Sequence, residues 1–246
     1  MTLEQNLEHS GSWLFSHRSY IPLVLIPLAG LVIFFSEDFP QHFATRWQWK
    51  AASLLVALFG AVIRAYVVGT TPSGTSGRNI DRQIAEKLNT TGAYSVVRHP
   101  LYVANFITIF GIVMWTGVWW FMLLASILFW FYYERIMYVE ERYLRQKFGS
   151  TFEKWALQTP AVLPALAQFT SAAYPFSFKT VLRREYDGML AIAASFLILE
   201  VLEYLNDPRD SSFDIFWLIL FVAMFIVAAI LRYLRKHTQM LEVSDR

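Results

Sequence analysis

Long apolar runs alternate with charged, proline-bearing or glycine-bearing stretches along most of this chain. A helix needs about 20 mostly apolar residues to cross the roughly 30 Å hydrocarbon core of a bilayer. By that measure the pattern predicts spans at about 20–39, 49–68, 101–115, 118–138, 188–204 and 213–231. The first carries Pro22 and Pro27 near its beginning, and the third is short. Only Thr116 and Gly117 separate the third from the fourth, so this pair reads as a tight antiparallel helical hairpin. A different pattern follows. In "EERYLRQKFGSTFEKWALQ", Tyr143, Leu144, Phe148 and Trp155 give an apolar side among charges, which predicts a helix lying along the bilayer surface. Pro160 and Pro164 end it. The stretch from Thr71 to Asn79, "TPSGTSGRN", is turn-forming.

Composition agrees with this pattern. Of the 246 residues 56% are hydrophobic and only 16% charged, against about 25% charged in soluble domains. The expected fold class is therefore an all-α integral membrane protein with about six transmembrane helices. It is read as one membrane domain over 1–246: N-terminal spans and a loop at 20–89, a core at 90–165, and two additional spans at 166–246. The chain has no cysteine, which excludes disulfides, thiolate metal sites and cysteine nucleophiles. Residues 1–12 hold Glu4, Glu8 and His9 and lack the basic start of a cleavable signal, so the first run is expected to stay in the membrane. Charge sets the orientation. With both termini, the 69–100 loop, the 139–187 segment and the helix-end Arg135 on one side, 17 of the 21 Lys/Arg lie there. Arg46, Lys50 and Arg209 lie on the other, and Arg64 falls within a span. The positive-inside rule puts the basic side, with both termini, in the cytosol.

Charged groups at or within membrane helices are costly and often mark function. Arg98, His99, Tyr102 and Asn105 cluster at the start of the third span. Proline suits a first helical position, so Pro100 would set His99 at the helix entrance, with Tyr102 and Asn105 on one face beyond it. Glu134, Arg135, Glu140 and Glu141 cluster at the end of the fourth span, and Arg183, Arg184 and Glu185 precede the fifth. If the hairpin is antiparallel, the first two clusters meet at one depth. They would form a pocket open to a charged cofactor from water and to an apolar substrate from lipid. The same residues admit a structural reading: Arg98, Arg183 and Arg184 as headgroup anchors, Arg64 as a snorkelling side chain, and Glu140 and Glu141 as a solvated face.

Two of these stretches carry a resemblance. "GAYSVVRHPLY", a hairpin, then "EERYLRQKFGSTFEKWALQTPAVLP" resembles the membrane methyltransferases of the isoprenylcysteine carboxyl methyltransferase and phospholipid methyltransferase superfamily. Gly92, Tyr94, Arg98, His99, Pro100 and Tyr102 match its first motif. Glu140, Glu141, Leu144, Phe148, Gly149, Phe152 and Pro160 match its second. The likeness covers about residues 90–165, with Ala104 where a glycine is common and Phe152 where tyrosine is usual. The "GTSGRN…LNTTG" stretch and the "HRSY" start look more like the bacterial branch that includes lipid A phosphate methyltransferases, hence a bacterial inner-membrane location.

The resemblance implies S-adenosylmethionine in a cytosol-facing pocket lined by His99, Tyr102, Glu140 and Glu141, joined by Arg98, Tyr94 and Asn105. The acidic pair would accept from the amino group or ribose, Arg98 or His99 would meet the carboxylate, and Tyr94 and Tyr102 would face the sulfonium. The implied acceptor is a carboxylate, phosphate or amine on a lipid or lipidated substrate entering from the bilayer. An anionic acceptor calls for a cation, Arg135 first and Arg98 second; an amine calls for a base such as Glu140 or His99. Neither a metal nor a nucleic-acid partner is implied. The chain has no G-x-G-x-x-G, so a Rossmann-type site is not expected. Two alternatives stay open. A membrane reductase of the sterol-reductase type would bind NADPH and call for basic residues beyond Arg78, Arg82 and Lys87. A non-catalytic scaffold or transporter would use polar groups in the other spans, where only Arg64, Glu200 and Glu203 stand.

Overall fold

A computed structural model describes residues 2–18, 21–36, 47–72, 85–206 and 212–243. Among these the chain is all-α, with nine helices: α1 (Leu3–Ser16), α2 (Leu25–Phe35), α3 (Trp47–Thr70), α4 (Ala93–Val96), α5 (Pro100–Met114), α6 (Trp119–Phe148), α7 (Ser150–Gln158), α8 (Phe178–Asn206) and α9 (Ile215–His237). Helices α3, α6, α8 and α9 are long and apolar enough to cross a membrane. The apolar α5 has 15 residues, about 22 Å, and is shorter than the hydrocarbon core. α1 and α2 together make one more span if counted as a broken helix, their axes bent by 79°.

The first expected span thus forms a helix of only 11 residues, α2, preceded by a 3-10 turn at Ile21–Val24. The prolines explain the late start. Pro22 falls in the turn, and Pro27 in the first turn of α2, where its missing N–H leaves no helical bond unmade. Helix α1 was not legible as a span. It opens on a reciprocal cap between Thr2 and Gln5 and packs along the last turns of α6. Arg142 pairs there with Glu8, and the Tyr132 hydroxyl donates to the Leu14 carbonyl at 3.1 Å. The expected surface helix is also corrected. Residues 140–148 continue α6, and only 150–158 form a separate helix, with the break at Gly149.

The other helices cover most of the residues of the remaining predicted spans, with α6 and α8 extending well beyond theirs. α5 and α6 form the hairpin across Thr116 and Gly117. α3 runs antiparallel to α5 in close contact. A Cβ on Gly111 would fall 2.8 Å from both the Ala57 Cα and the Ser53 carbonyl oxygen, and one on Gly60 would meet Thr108 and the Ala104 carbonyl. Small residues permit such an approach where lipid provides no hydrophobic drive between helices. α8 begins ten residues before the predicted span, takes in Arg183 and Arg184, and lies antiparallel to α3; α9 returns along it. Trp115, Phe196 and Trp217 close the far end, with Phe196 stacked on Trp217 at 5.4 Å. Lys50, expected to face the aqueous side, is buried there between Glu200 at 2.7 Å and Glu203 at 2.9 Å. The Gly/Ser stretch beyond Pro72 with Arg78 and Arg82, and the residues Arg46 and Arg209, lie outside the described residues.

Candidate active site

The segment before α5 is irregular, yet its backbone is not left unpaired. The proline-rich stretch after α7 lies against it as a strap. Arg98 N–H donates to the Pro160 carbonyl at 2.8 Å, His99 N–H to Ala161 at 3.3 Å, and Gly92 N–H to Thr170 at 3.0 Å. In return, Ala165 N–H donates to the Val96 carbonyl at 2.9 Å. Buried backbone groups require such partners. His99 then caps α5, with Pro100 in its first turn.

The hairpin brings the end of α6 to this point. His99 Nε2 lies 2.9 Å from Glu141 Oε1, and Nδ1 3.6 Å from Glu140 Oε2. His99 is buried, and its ring stacks on Tyr102 at 5.6 Å; Tyr102 packs in turn on Tyr133. Burial alone would depress the imidazolium, but hydrogen bonds and charge from Glu140 and Glu141 outweigh it, and the His99 pKa is raised. Tyr94 is pushed upward by burial and by Glu140, and stays protonated.

Arg98 is largely committed to building the site. Its Nε donates to Glu141 Oε1 at 2.8 Å, and one terminal nitrogen donates to the Ala156 and Thr159 carbonyls at 2.6 and 2.8 Å. It thereby caps the C-terminus of α7, where orphan carbonyls favour a cation. Trp155 Nε1 donates to the Tyr94 carbonyl at 3.1 Å, and Phe152 is fully buried.

These side chains line a cavity of about 770 Å³. Tyr94, Arg98, His99, Tyr102, Glu140 and Glu141 surround its polar end, and Asn105 lies deeper. Arg135 is not brought there. It sits two residues from Tyr133 and Met137, about 200° round the helix from the cavity side. Its guanidinium bonds the Phe131 carbonyl of its own helix, and its backbone faces Gly11 of α1. Glu134 is exposed. Sequence reasoning undervalued two residues. Arg64 lines the cavity, donating from Nε to Glu185 Oε2 at 2.6 Å and from Nη1 to Asn105 Oδ1 at 2.7 Å. The signal was available, since Arg64 and Glu185 are both charges at or inside apolar runs. No group of three or more His, Cys, Asp or Glu able to hold a metal occurs among the described residues.

Residues 49–151 match the family described as phospholipid methyltransferase. The chain is 32% identical over 97 residues to Protein-S-isoprenylcysteine O-methyltransferase of Schizosaccharomyces pombe, covering 37% of this chain and 41% of that one. It is 31% identical over 134 residues to Protein-S-isoprenylcysteine O-methyltransferase B of Arabidopsis thaliana, covering 54% and 66%. It is also 30% identical over 124 residues to the Nickel-cobalt-cadmium resistance protein NccN of Alcaligenes xylosoxydans xylosoxydans, covering 50% and 58%. The matches thus span between 41% and 66% of these relatives' own lengths. No solved structure matches the chain. With both motifs at one end of the α5–α6 hairpin and inside or beside the matched segment, the core of this chain, residues 49–151, belongs to the isoprenylcysteine carboxyl methyltransferase and phospholipid methyltransferase superfamily.

Proposed function

We propose that this chain is an integral membrane methyltransferase that uses S-adenosylmethionine to methylate an oxygen carried by a lipid or lipidated substrate. The observation that carries this reading is the meeting of His99 with Glu140 and Glu141 at the mouth of the cavity. The donor set fits the ligand. Its α-amino acid end offers an ammonium and a carboxylate, its sulfur is cationic, and its adenosine is flat and amphiphilic. The polar end holds two carboxylates, a protonation-prone imidazole and the phenols of Tyr94 and Tyr102. The cavity size falls within the roughly 300–1,000 Å³ of ordinary ligand sites.

When bound, S-adenosylmethionine supplies a methyl group already activated on a sulfonium. The residues of the chain hold and align. Glu140 accepts from the ammonium or ribose, because Glu141 is already shared by Arg98 and His99. His99, biased toward its charged form, meets the carboxylate. The tyrosine faces favour positive charge. A carboxylate or phosphate acceptor is anionic at neutral pH and needs no base, so alignment and exclusion of water are the main tasks. Such alignment supplies about 7–11 kcal/mol. The O-methyltransferase names of two relatives favour an oxygen acceptor over an amine. By the positive-inside rule this end of the bundle faces the cytosol.

Calorimetry on the purified protein tests the reading. S-Adenosylhomocysteine is expected to bind with micromolar or tighter affinity, and NADPH is not. The reverse result would make the chain a reductase. His99→Ala and Glu140→Ala should each weaken that binding about tenfold or more, as expected for a lost charge-assisted hydrogen bond, while the protein stays folded. Incubating membranes with methyl-labelled S-adenosylmethionine, followed by mass spectrometry of the lipids, identifies the acceptor.

A further inference from the structure

The proline-rich strap holds the candidate site on its inner side, and its outer side has a chemistry of its own. Residues 155–178, between Lys154 and Lys179, include no Asp, Glu, Lys, Arg or His. A soluble surface of that length would carry about six charges. The side chains turned away from the protein are large and apolar instead. Leu157, Leu163 and Leu166 keep 88%, 81% and 76% of their surface accessible, and Phe169, Phe176 and Phe178 are exposed as well. Single exposed leucines are ordinary, but six large apolar side chains along one uncharged segment mark a surface that meets something.

Depth decides what it meets. Trp47 and Trp119 are exposed at the far end of the bundle, as in the aromatic belt of a membrane interface. At that end Trp49 Nε1 donates to the Met114 carbonyl at 2.8 Å, which sets α3 and α5 level. From there α5 runs about 21 Å to Pro100, and α3 about 30 Å to Gly69. The strap is tied at both heights. Its Pro160 and Ala161 carbonyls hold the N–H groups of Arg98 and His99, and Ser177 N–H donates to the Gly69 carbonyl at 2.8 Å. The hydrocarbon core is about 30 Å thick, so the strap lies within the thickness of the membrane rather than above it. Irregular backbone at such a depth needs its polar groups met or removed. Here the inner edge is hydrogen-bonded to the segment before α5, and Pro160, Pro164 and Pro175 bring no N–H. Exposed Lys154 and Lys179 frame the apolar stretch, while the neighbouring Glu153 lies 3.9 Å from Arg145.

We propose that residues 157–178 form an interfacial anchor seated in the cytosolic leaflet, with Leu163, Leu166 and Phe169 among the acyl chains and Lys154 and Lys179 at anionic headgroups. The partner is the lipid surface itself, whichever reaction the cavity performs. The anchor lies outside the family-matched segment, yet it reaches the site. The carbonyls that hold Arg98 and His99 belong to the same short stretch as the seated side chains, so lipid contact steadies the entrance of α5. A soluble partner or a second copy of the chain could cover the same leucines, but neither calls for an uncharged segment at membrane depth with a lysine at each end.

The chain has no cysteine, so Leu163→Cys, Leu166→Cys and Phe169→Cys can each carry a single bimane fluorophore without background. In nanodiscs, phosphatidylcholine brominated on its acyl chains should remove most of the emission at all three positions, and aqueous iodide little of it. Glu153→Cys, among the charges of α7, should respond the other way. Brominated phosphatidylglycerol at the same mole fraction should quench the strap labels more than brominated phosphatidylcholine, and Lys154→Gln with Lys179→Gln should abolish that excess. Strong iodide quenching at the three positions overturns the proposal, because the strap then stands in water. Protection from both quenchers overturns it too, because a protein surface then covers the strap. Equal quenching by the two lipids rejects the lysines as headgroup contacts. The thermal melt shows which labelled proteins are folded, and if one is not, the other two positions decide.

Discussion

His99 sits between two carboxylates in a buried place, and its protonation couples the site to pH. Unfolded, a histidine titrates near pH 6.5; folded, the pKa of His99 is higher. The folded state therefore holds its proton more tightly. The stabilisation from the charged imidazole is complete below about pH 6.5 and is lost as pH rises through the folded value. The thermal midpoint, followed across that window, should fall more in wild type than in His99→Gln. Equal slopes would mean that His99 does not titrate differently on folding. Glu141→Gln attacks the other partner. It would leave the Arg98 guanidinium with neutral acceptors only, the amide oxygen at 141 and the α7 carbonyls, at a cost of roughly 1.5–3 kcal/mol, read from chemical unfolding. This meeting was legible in the sequence because a short turn at Thr116–Gly117 fixes which ends of the hairpin coincide. The misplaced direction of Arg135 was legible too, by its angular offset from Tyr133 and Met137. Arg64 stood out as a charge within an apolar run, but what it does was not legible, because that depends on Glu185, 121 residues away.

At the scale of elements, the site depends on a backbone break. Gly149 ends α6 and begins α7 with φ 51° and ψ −128°, a conformation open to glycine and strained for side-chain-bearing residues. No atom within 4 Å would obstruct a Cβ there, so the penalty is backbone strain alone. Gly149→Ala should cost about 1–3 kcal/mol. Because α7 carries Phe152, Trp155 and the carbonyls that Arg98 caps, the strain should appear as faster amide exchange over 150–158 and weaker S-adenosylhomocysteine binding. Unchanged exchange would mean that the break tolerates an ordinary residue. The helical periodicity of 140–158 was correctly read, but periodicity alone does not say whether a helix is continuous with the one before it. Glycine was the clue to the true boundary. The same limit hid α1: its cap of Thr2 and Gln5 is visible as S/T-x-x-E/Q spacing, but α1 lacks the apolar length of a span and stands out only once α6 is seen to need a partner.

For the molecule as a whole, the question is how helices α8 and α9, outside the family-matched segment, are bound to the core tightly enough to shape its cavity. Lys50 of α3 lies between Glu200 and Glu203 of α8, all three nearly inaccessible. Trp115 Nε1 donates to Glu203 Oε2 at 2.9 Å, and the backbone N–H of Asp214, just before α9, donates to Glu200 Oε1 at 2.7 Å. One cation therefore ties α3, the hairpin turn, α8 and the start of α9 together, at the end opposite the candidate site. Buried ion clusters of this kind add little net stability over apolar packing, but losing one member leaves charge uncompensated. Lys50→Met should accordingly cost about 3–5 kcal/mol. The combined Lys50→Met, Glu200→Gln, Glu203→Gln variant should recover most of that loss in thermal unfolding, because it removes the stranded charges together. The site itself reports the coupling. Since α8 supplies Glu185 to the cavity, Lys50→Met should also loosen the Arg64–Glu185 pair and weaken S-adenosylhomocysteine binding, although about 20 Å of α3 separates the two positions. A Lys50→Met protein that melts like wild type would show the hairpin to be held by its apolar contacts alone, with Trp115, Phe196 and Trp217 sufficient to fix the register of α8 against the core.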